Sequence, residues 1–169
     1  MMKTLLNLIL VIFISSAYSI AQKDGKYESL EAALKEPEKV ISLDLWGQDI
    51  EELPKEIKKF KNVKFIVLRN NKLTTLPKSF SKLKSLEELS LGNNKNLEIQ
   101  QVLKVLSKLP KLRQLDLEVT GINEIPDEIL QLKALTELFV GLNGIDLSKI
   151  NELKEKLPNV KVYDWKGYT

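Results

Sequence analysis

The sequence contains neither cysteine nor histidine, and only two of its 26 basic residues are arginine, Arg69 and Arg113. The absence of cysteine excludes disulfides, thiolate metal sites and a thiol nucleophile. The absence of histidine removes the commonest general base and the commonest metal ligand. Phosphate-binding glycine motifs and hydrolase motifs are absent as well. We therefore expect a protein that is not an enzyme and that has no catalytic residues, no metal and no cofactor.

The chain also lacks a strong charge of one sign, because its net charge is only +3. Nucleic-acid binders usually concentrate basic residues on one face, so we expect no nucleic-acid partner. Hydrophobic residues make up 43% and charged residues 29% of the 169 residues, which is the composition of a folded globular protein. This length is typical of a single domain with a real core.

The first 21 residues have the order of a secretory signal peptide. A positive start ending at Lys3 precedes an apolar run from Leu5 to Ile14, and small residues follow up to Ala21. The alternative is a retained membrane helix, but a span needs roughly 20 apolar residues and this run is about half as long. We predict cleavage after Ala21, no stable membrane span afterwards, and a secreted or periplasmic location in a bacterium. The absence of cysteine excludes a lipoprotein anchor.

From residue 40 onward the sequence repeats. Successive units begin at residues 40, 63, 86, 112 and 135, and a half unit begins at residue 160. Three of these units follow the pattern L-x-x-L-x-L-x-x-N-x-L-x-x-L-P-x-x-I-x-x-L closely. Alternate residues of each hydrophobic triplet point inward, as in a strand, and one unit cannot bury its apolar face without neighbours. The repeat therefore predicts coils that stack on one another.

These units resemble bacterial leucine-rich repeats of the L-P-x-x-I type, from Val40 to about Trp165. The resemblance implies an α/β solenoid in the form of a short horseshoe. About six parallel strands would form its concave sheet, and helical or extended segments would form its convex side. The third and fifth units carry apolar residues at helical spacing, which predicts true helices there.

The resemblance also implies a ladder of polar side chains inside the solenoid, because in this family the polar residue after each strand bonds backbone groups of neighbouring turns. A buried polar group needs such partners. The residues at this position are Gln48, Asn71, Asn94, Thr120 and Asn143.

We divide the chain into a signal peptide (1–21), an N-terminal linker and capping helix (22–39) and a leucine-rich repeat domain (40–169). Ser29 can cap the helix that covers the first coil. At the other end, Tyr163 and Trp165 occupy positions where inward residues belong, so we expect them to close the core. The last strand keeps a bare edge, which makes a weak homo-oligomer through the C-terminal edge possible.

The outward positions of the stacked strands form three columns on the concave face. In the last coil we predict that Val162, Asp164 and Lys166 complete these columns. The columns expose apolar side chains among an excess of carboxylates, which is typical of an interaction surface. The alternative is that large residues pack sideways on the sheet and bind nothing. The candidate partner-binding residues are Trp46, Phe65, Val67, Arg69, Glu88, Asp116, Glu118 and Phe139.

From this face we predict an exported protein-binding module. The aromatic residues would be the anchors, the carboxylates would attract a basic partner, and Arg69 would be the cationic contact. The expected partner is a protein or peptide with basic and apolar groups. Two alternatives stay open, a self-assembling structural protein of the bacterial envelope and a glycan-binding surface protein in which Trp46 and Phe65 stack on sugar rings.

Overall fold

The computed structural model describes residues 25–165, so the predicted signal peptide at residues 1–21 lies outside the described residues. Within residues 25–165, no helix combines the length and apolar character needed to cross a membrane. The described residues form a solenoid around one parallel sheet, which confirms the predicted fold.

Within residues 25–165 the sheet has seven strands that lie in sequence order, one more than predicted. Every neighbouring pair is parallel. The strands are β1 (Lys26–Tyr27), β2 (Ser42–Asp44), β3 (Phe65–Val67), β4 (Glu88–Ser90), β5 (Gln114–Asp116), β6 (Glu137–Phe139) and β7 (Lys161–Tyr163). The additional strand is β1, whose two residues are too few to give a periodic signal in the sequence.

The segments on the convex side differ with the length of the unit. The described α-helices are α1 (Leu30–Lys35), α2 (Ile99–Leu106) and α3 (Leu147–Lys156). Short 3₁₀ segments occupy Pro37–Lys39, Lys55–Lys59, Lys78–Lys82 and Asp127–Gln131. An α-helix advances less per residue than a 3₁₀ helix, so crossing the same distance takes more residues. The longer third and fifth units accordingly contain α2 and α3, which confirms the predicted helices.

The core runs along the axis of the solenoid and is filled mainly by leucine. Leu43 and Leu45 enter it from β2 and the residue that follows β2, and equivalent leucines enter from later coils. Phe60 and Phe80 fill the convex side of the first two coils, and both side chains are completely buried. Each coil covers the apolar face of the next, so stability depends on stacking.

The predicted polar ladder is confirmed inside this core at the three asparagines and Thr120, whereas Gln48 is exposed and donates to the Glu28 carbonyl instead. The Asn71 amide nitrogen donates to the Leu45 and Leu68 carbonyls at 2.8 and 2.9 Å, and its oxygen accepts from the Gln48 and Ile50 backbone nitrogens. Asn94 and Asn143 make the same kind of contacts in later coils. These bonds fix the turn that follows each strand, and so they fix the position of the residues on the concave rim.

The N-terminal end of the solenoid is covered as predicted. The Ser29 hydroxyl accepts from the Ala32 backbone nitrogen at 3.4 Å and begins α1. Tyr27 and Ala33 are buried against the first coil. The Tyr27 hydroxyl donates to Glu36 at 3.3 Å, so this aromatic residue is held by both apolar and polar contacts.

The prediction for the last coil was wrong by one residue. Lys161 pairs with Glu137 and Tyr163 pairs with Phe139, whereas the predicted columns placed Val162 and Asp164 there. A shift of one residue in a strand moves every side chain to the opposite face. Val162 therefore packs against the core, and Tyr163 and Trp165 are exposed instead of closing it.

Candidate partner-binding surface

Three columns of side chains cross the concave face of the sheet. The first column consists of Lys26, Ser42, Phe65, Glu88, Gln114, Glu137 and Lys161. The second consists of Asp44, Val67, Ser90, Asp116, Phe139 and Tyr163. The third follows the strand ends and consists of Trp46, Arg69, Gly92, Glu118, Gly141 and Trp165. All eight candidate residues lie in these columns, so the structure brings them together on one face.

The predicted apolar anchors differ in exposure. Trp46 is 60% exposed at the N-terminal end of the third column. Phe65, Val67 and Phe139 are half-buried. Phe65 and Val67 form one wall of a shallow hollow whose other residues include Glu88 and Gln114. The N-terminal half of the face therefore offers one projecting indole beside an apolar hollow.

Arg69 is the centre of an ion-pair network within the face. Its Nη1 atom donates to Asp116 Oδ2 at 2.7 Å and to Glu118 Oε2 at 3.2 Å. The Ser90 hydroxyl donates to the same Asp116 oxygen at 2.5 Å. A guanidinium shared between two carboxylates has less charge to offer a partner. Arg69 thus organises the carboxylates of the face, whereas the sequence suggested a cation that waits for a partner.

Gly92 provides the room for this network. A Cβ atom at Gly92 would collide with Arg69 Nη1 and would lie 2.9 Å from Asp116 Oδ2. The arginine side chain crosses β4 at this position to reach β5 and the residues after it. A glycine between Arg69 and Glu118 in the same column was the sequence signal that could have predicted this contact.

The face is less acidic than the sequence predicted. Within the described columns there are five carboxylates, on Asp44, Glu88, Asp116, Glu118 and Glu137, and three basic residues, Lys26, Arg69 and Lys161. Glu88 is also bonded by Arg113, which lies beside the columns. The predicted columns included Asp164, which instead pairs with Lys154 at 3.1 Å. A modest excess of negative charge remains at the centre of the face.

The C-terminal end of the face carries an aromatic patch, defined here as Phe139, Leu142, Tyr163 and Trp165. The Phe139 and Tyr163 rings are stacked, with centroids 4.5 Å apart and planes 8° from parallel. The Trp165 indole lies over Gly141, where a Cβ atom would come within 3.2 Å of the ring. Of these four residues only Phe139 was among the sequence candidates, because the register error hid Tyr163 and Trp165.

The turns that follow the strands share a left-handed residue in five coils. Gly47, Asn70, Asn93, Val119 and Leu142 have φ values of 65°, 60°, 53°, 57° and 56°. Glycine and asparagine adopt this conformation readily, whereas other residues pay roughly 1–2 kcal/mol for it. The bulky residues stand in the fourth and fifth coils, beside the aromatic patch. Conformational strain of this kind is often kept where a surface has a function.

Outside the concave face, a cleft separates α3 from the 3₁₀ segment Asp127–Gln131. Ile129, Ile145 and Leu153 are among its lining residues. Lys156 reaches across to Asp127 at 3.0 Å and also pairs with Glu152. These hydrogen bonds raise the pKa of Lys156 to about 12. Among residues 25–165 no group of acidic side chains is arranged to hold a metal ion.

Comparisons with known proteins agree with this geometry. Residues 38–138 match the family described as the leucine-rich repeat region. No curated protein matches the chain.

Three solved structures illustrate the similarity of fold. Internalin InlF from Listeria monocytogenes has a TM-score of 0.59 and 18% identity, over 80% of this chain and 37% of its own. The leucine-rich repeat domain of the type III effector XopL has a TM-score of 0.59 and 24% identity, over 84% of this chain and 48% of its own. A chain of the mouse RP105/MD-1 complex has a TM-score of 0.51 and 28% identity, over 63% of this chain and 18% of its own.

This chain therefore spans about half or less of each of those three structures. The family match is more extensive, because it covers most of the described coils. The repeated sequence, the parallel sheet and this family match show that the chain belongs to the leucine-rich repeat family.

Proposed function

We propose that this protein is an exported binding module that holds another protein or a peptide on its concave face. The fold itself is that of protein-interaction modules, and no catalytic role is indicated. The observation that carries the choice of face is the exposure of large apolar side chains there, above all Trp46 at 60%. Aromatic side chains in such positions usually supply most of the energy of a protein interface.

The residues of the face have distinct roles in this proposal. Trp46, Phe65 and Phe139 are the apolar anchors, and Val67 extends the wall beside Phe65. Glu88, Asp116 and Glu118 attract basic groups of the partner. Arg69 holds the last two carboxylates in place through bonds of 2.7 and 3.2 Å.

The size of the face limits how the partner binds. Seven strands about 4.8 Å apart, each about 10 Å long, cover on the order of 300 Å². A standard protein interface buries about 800 Å² on each partner. The binding surface must therefore include the turns that follow the strands, or the affinity will be low. One structural neighbour is a complex, that of mouse RP105 with MD-1, which supports a protein as the partner class.

Export is part of the same proposal and rests on the amino-acid pattern of residues 1–21. A positive start, a short apolar run and small residues before Ala21 are the features that the export machinery reads. Mass spectrometry of the protein from its source cells tests this directly. A new N-terminus at Gln22 supports export, and an intact Met1 in the cytoplasm contradicts it.

The test of the binding face uses a charge-bearing double variant, Phe65→Glu with Phe139→Glu. The full chain, this variant and a convex control, Lys58→Glu with Lys82→Glu, are incubated with an envelope and culture extract of the source organism. Circular dichroism confirms that each is folded. A protein retained by wild type and by the convex control, but lost by the face variant, supports the proposal. Equal retention by all three contradicts it.

Self-assembly of a structural envelope protein is a second candidate, favoured by the exposure of Trp165 beside β7, the last strand described. Light scattering distinguishes it, because this candidate predicts oligomers that grow with concentration and disappear in Trp165→Ala. A glycan-binding surface protein is a third candidate, favoured by the exposed indole of Trp46. A glycan array that gives a signal lost in Trp46→Ala supports this third candidate.

A further inference from the structure

The aromatic patch leaves a large part of its apolar surface exposed. Trp165, Leu142 and Tyr163 are 52%, 43% and 37% exposed. Val162, which points the other way from the same strand, is the residue that packs against the core. The aromatic residues of the last coil therefore contribute little to closing the solenoid.

The backbone around the patch is arranged to keep these side chains on the surface. Gly141 leaves room for Trp165, since a Cβ atom there would lie 2.7 Å from the Trp165 carbonyl oxygen and 3.2 Å from the indole ring. The Leu142 backbone nitrogen donates to that same carbonyl at 3.2 Å. Leu142 has a φ of 56°, where the first three equivalent turns have Gly47, Asn70 and Asn93 and the fourth has Val119. A strained and exposed leucine is expected where its side chain is used.

The area of the patch indicates the size of its occupant. Aromatic side chains present about 150–250 Å² each when fully exposed. Trp165, Tyr163 and the smaller Leu142 are only partly exposed, so together they offer on the order of 250–300 Å² of surface. A stable dimer needs about 800 Å² per copy. A second copy of the chain would therefore be held poorly by this patch alone, whereas a short peptide segment could cover it.

The surrounding charges indicate the chemistry of that segment. Glu137 lies next to the patch in the first column. Lys161 is the residue opposite it on the neighbouring strand β7. Glu118 and Asp116 lie one coil away, where a single arginine is shared between them. Carboxylates in excess at one side of an apolar patch favour a ligand that carries lysine or arginine beside its apolar groups.

We propose that the aromatic patch binds a short linear peptide segment in which apolar side chains are flanked by lysine or arginine. The apolar side chains pack on Trp165, Tyr163 and Leu142, and the basic groups face Glu137 and the carboxylates of the neighbouring coil. The indole N–H and the tyrosine hydroxyl are donors for the peptide carbonyls. This inference rests on the proposed binding function and assigns it a defined subsite at the C-terminal end of the face.

The experiment selects a phage-displayed library of random 12-residue peptides on the immobilised full chain. The enriched peptide is then titrated into two variants with a single tryptophan each, because the chain has only two. In Trp46→Phe the emission of Trp165 reports binding at the patch, and in Trp165→Phe the emission of Trp46 is the matched control. We expect an enriched sequence with apolar and basic residues that changes the emission of Trp165 alone. We also expect its affinity to fall at least tenfold in Trp165→Ala and in Leu142→Asn.

Several results would overturn this inference. These are no enrichment over a library selected on Trp165→Ala, an acidic or purely polar consensus, and binding that changes only the emission of Trp46. Concentration-dependent oligomers that vanish in Trp165→Ala would assign the patch to a second copy of the chain. The proposed function would survive any of these results if the extract protein is still lost by the Phe65→Glu, Phe139→Glu variant. The proposed function fails, independently of this inference, if the Phe65→Glu, Phe139→Glu variant still retains that protein.

Discussion

At the N-terminal end of the sheet, Tyr27 is only 3% exposed and its hydroxyl is bonded to Glu36, whereas at the C-terminal end Tyr163 is 37% exposed and stacks on Phe139. The first tyrosine lies beside a capping helix, and the second lies on an open face. The residue at the left-handed position of the turn also changes, from glycine and asparagine in the first three coils to valine and leucine in the next two. The comparison teaches that one end of the described solenoid buries its aromatic residue for stability, whereas the other leaves its aromatic residues exposed, as the proposed binding role requires.

The largest expected difference is between Tyr27→Ala and Tyr163→Ala. Removing a buried aromatic side chain leaves a cavity, so we expect Tyr27→Ala to lower the free energy of unfolding by about 3 kcal/mol or more. Tyr163→Ala loses mainly the ring stack, worth about 1 kcal/mol. Urea unfolding of both variants measures the difference. Equal losses would show that the two ends are not built differently.

The ion-pair network between the two ends should give the next largest effect. Arg69→Met leaves Asp116 and Glu118, whose side chains are 14% and 10% exposed, without their shared cation. We expect a loss of about 1–2 kcal/mol in the free energy of unfolding. Gly92→Ala should destabilise wild type by displacing the arginine, and should have less effect in the Arg69→Met background. A double-mutant cycle with purely additive effects would contradict this contact.

The left-handed turns allow leucine and asparagine to be exchanged between equivalent positions in the two halves of the solenoid. Leu142→Asn should raise the free energy of unfolding by about 1 kcal/mol, because asparagine tolerates a φ of 56° better than leucine does. Asn70→Leu at the equivalent turn, where φ is 60°, should lower it by a similar amount. Thermal unfolding of the two single variants checks this. A loss of stability in Leu142→Asn would mean that leucine at this turn supports the fold.

The smallest expected effect concerns the pH dependence of the N-terminal end. The hydrogen bond from Lys39 lowers the pKa of Glu36 below its usual value of 4.5. A lowered pKa in the folded state adds stability above the unfolded pKa, and this contribution disappears as the pH falls through the folded value. Glu36→Gln should therefore be less stable than wild type at neutral pH, with the difference shrinking below about pH 4. Urea unfolding at pH 7 and pH 3 measures it, and an unchanged difference would contradict the ion pair.

Much of the fold could be predicted from the sequence because each unit repeats the same physical constraints. The hydrophobic triplets fixed the strands, and the prolines before the 3₁₀ segments marked the convex turns. The asparagine ladder followed from the need of buried amides for partners. All eight candidate residues of the face lie in the observed columns because each repeat places its outward residues at the same positions.

The last coil was predicted in the wrong register for a physical reason. Residues 160–165 alternate two apolar sets, valine at 160 and 162 and aromatic residues at 163 and 165. Either set could point inward, because both are apolar and a shift of one residue exchanges the two faces of a strand. The smaller valine at 162 packs on the core in the structure, and the aromatic side chains face outward. The aromatic patch was missed as a consequence. The strain at Leu142 does have a signal in the repeat, because leucine stands there where earlier units have Asn70 and Asn93.

Oxidative footprinting of side chains, with and without the partner protein recovered from the extract, tests the central claim most directly. The claim is that the partner covers the concave face. Trp46, Tyr163 and Trp165 are the exposed aromatic side chains of that face, and Leu147, which is exposed on α3, is the internal control. We predict that the partner lowers oxidation of the three aromatic residues and leaves Leu147 unchanged. Protection of Leu147 with unchanged oxidation of the aromatic residues would contradict the account and place the partner on the convex side.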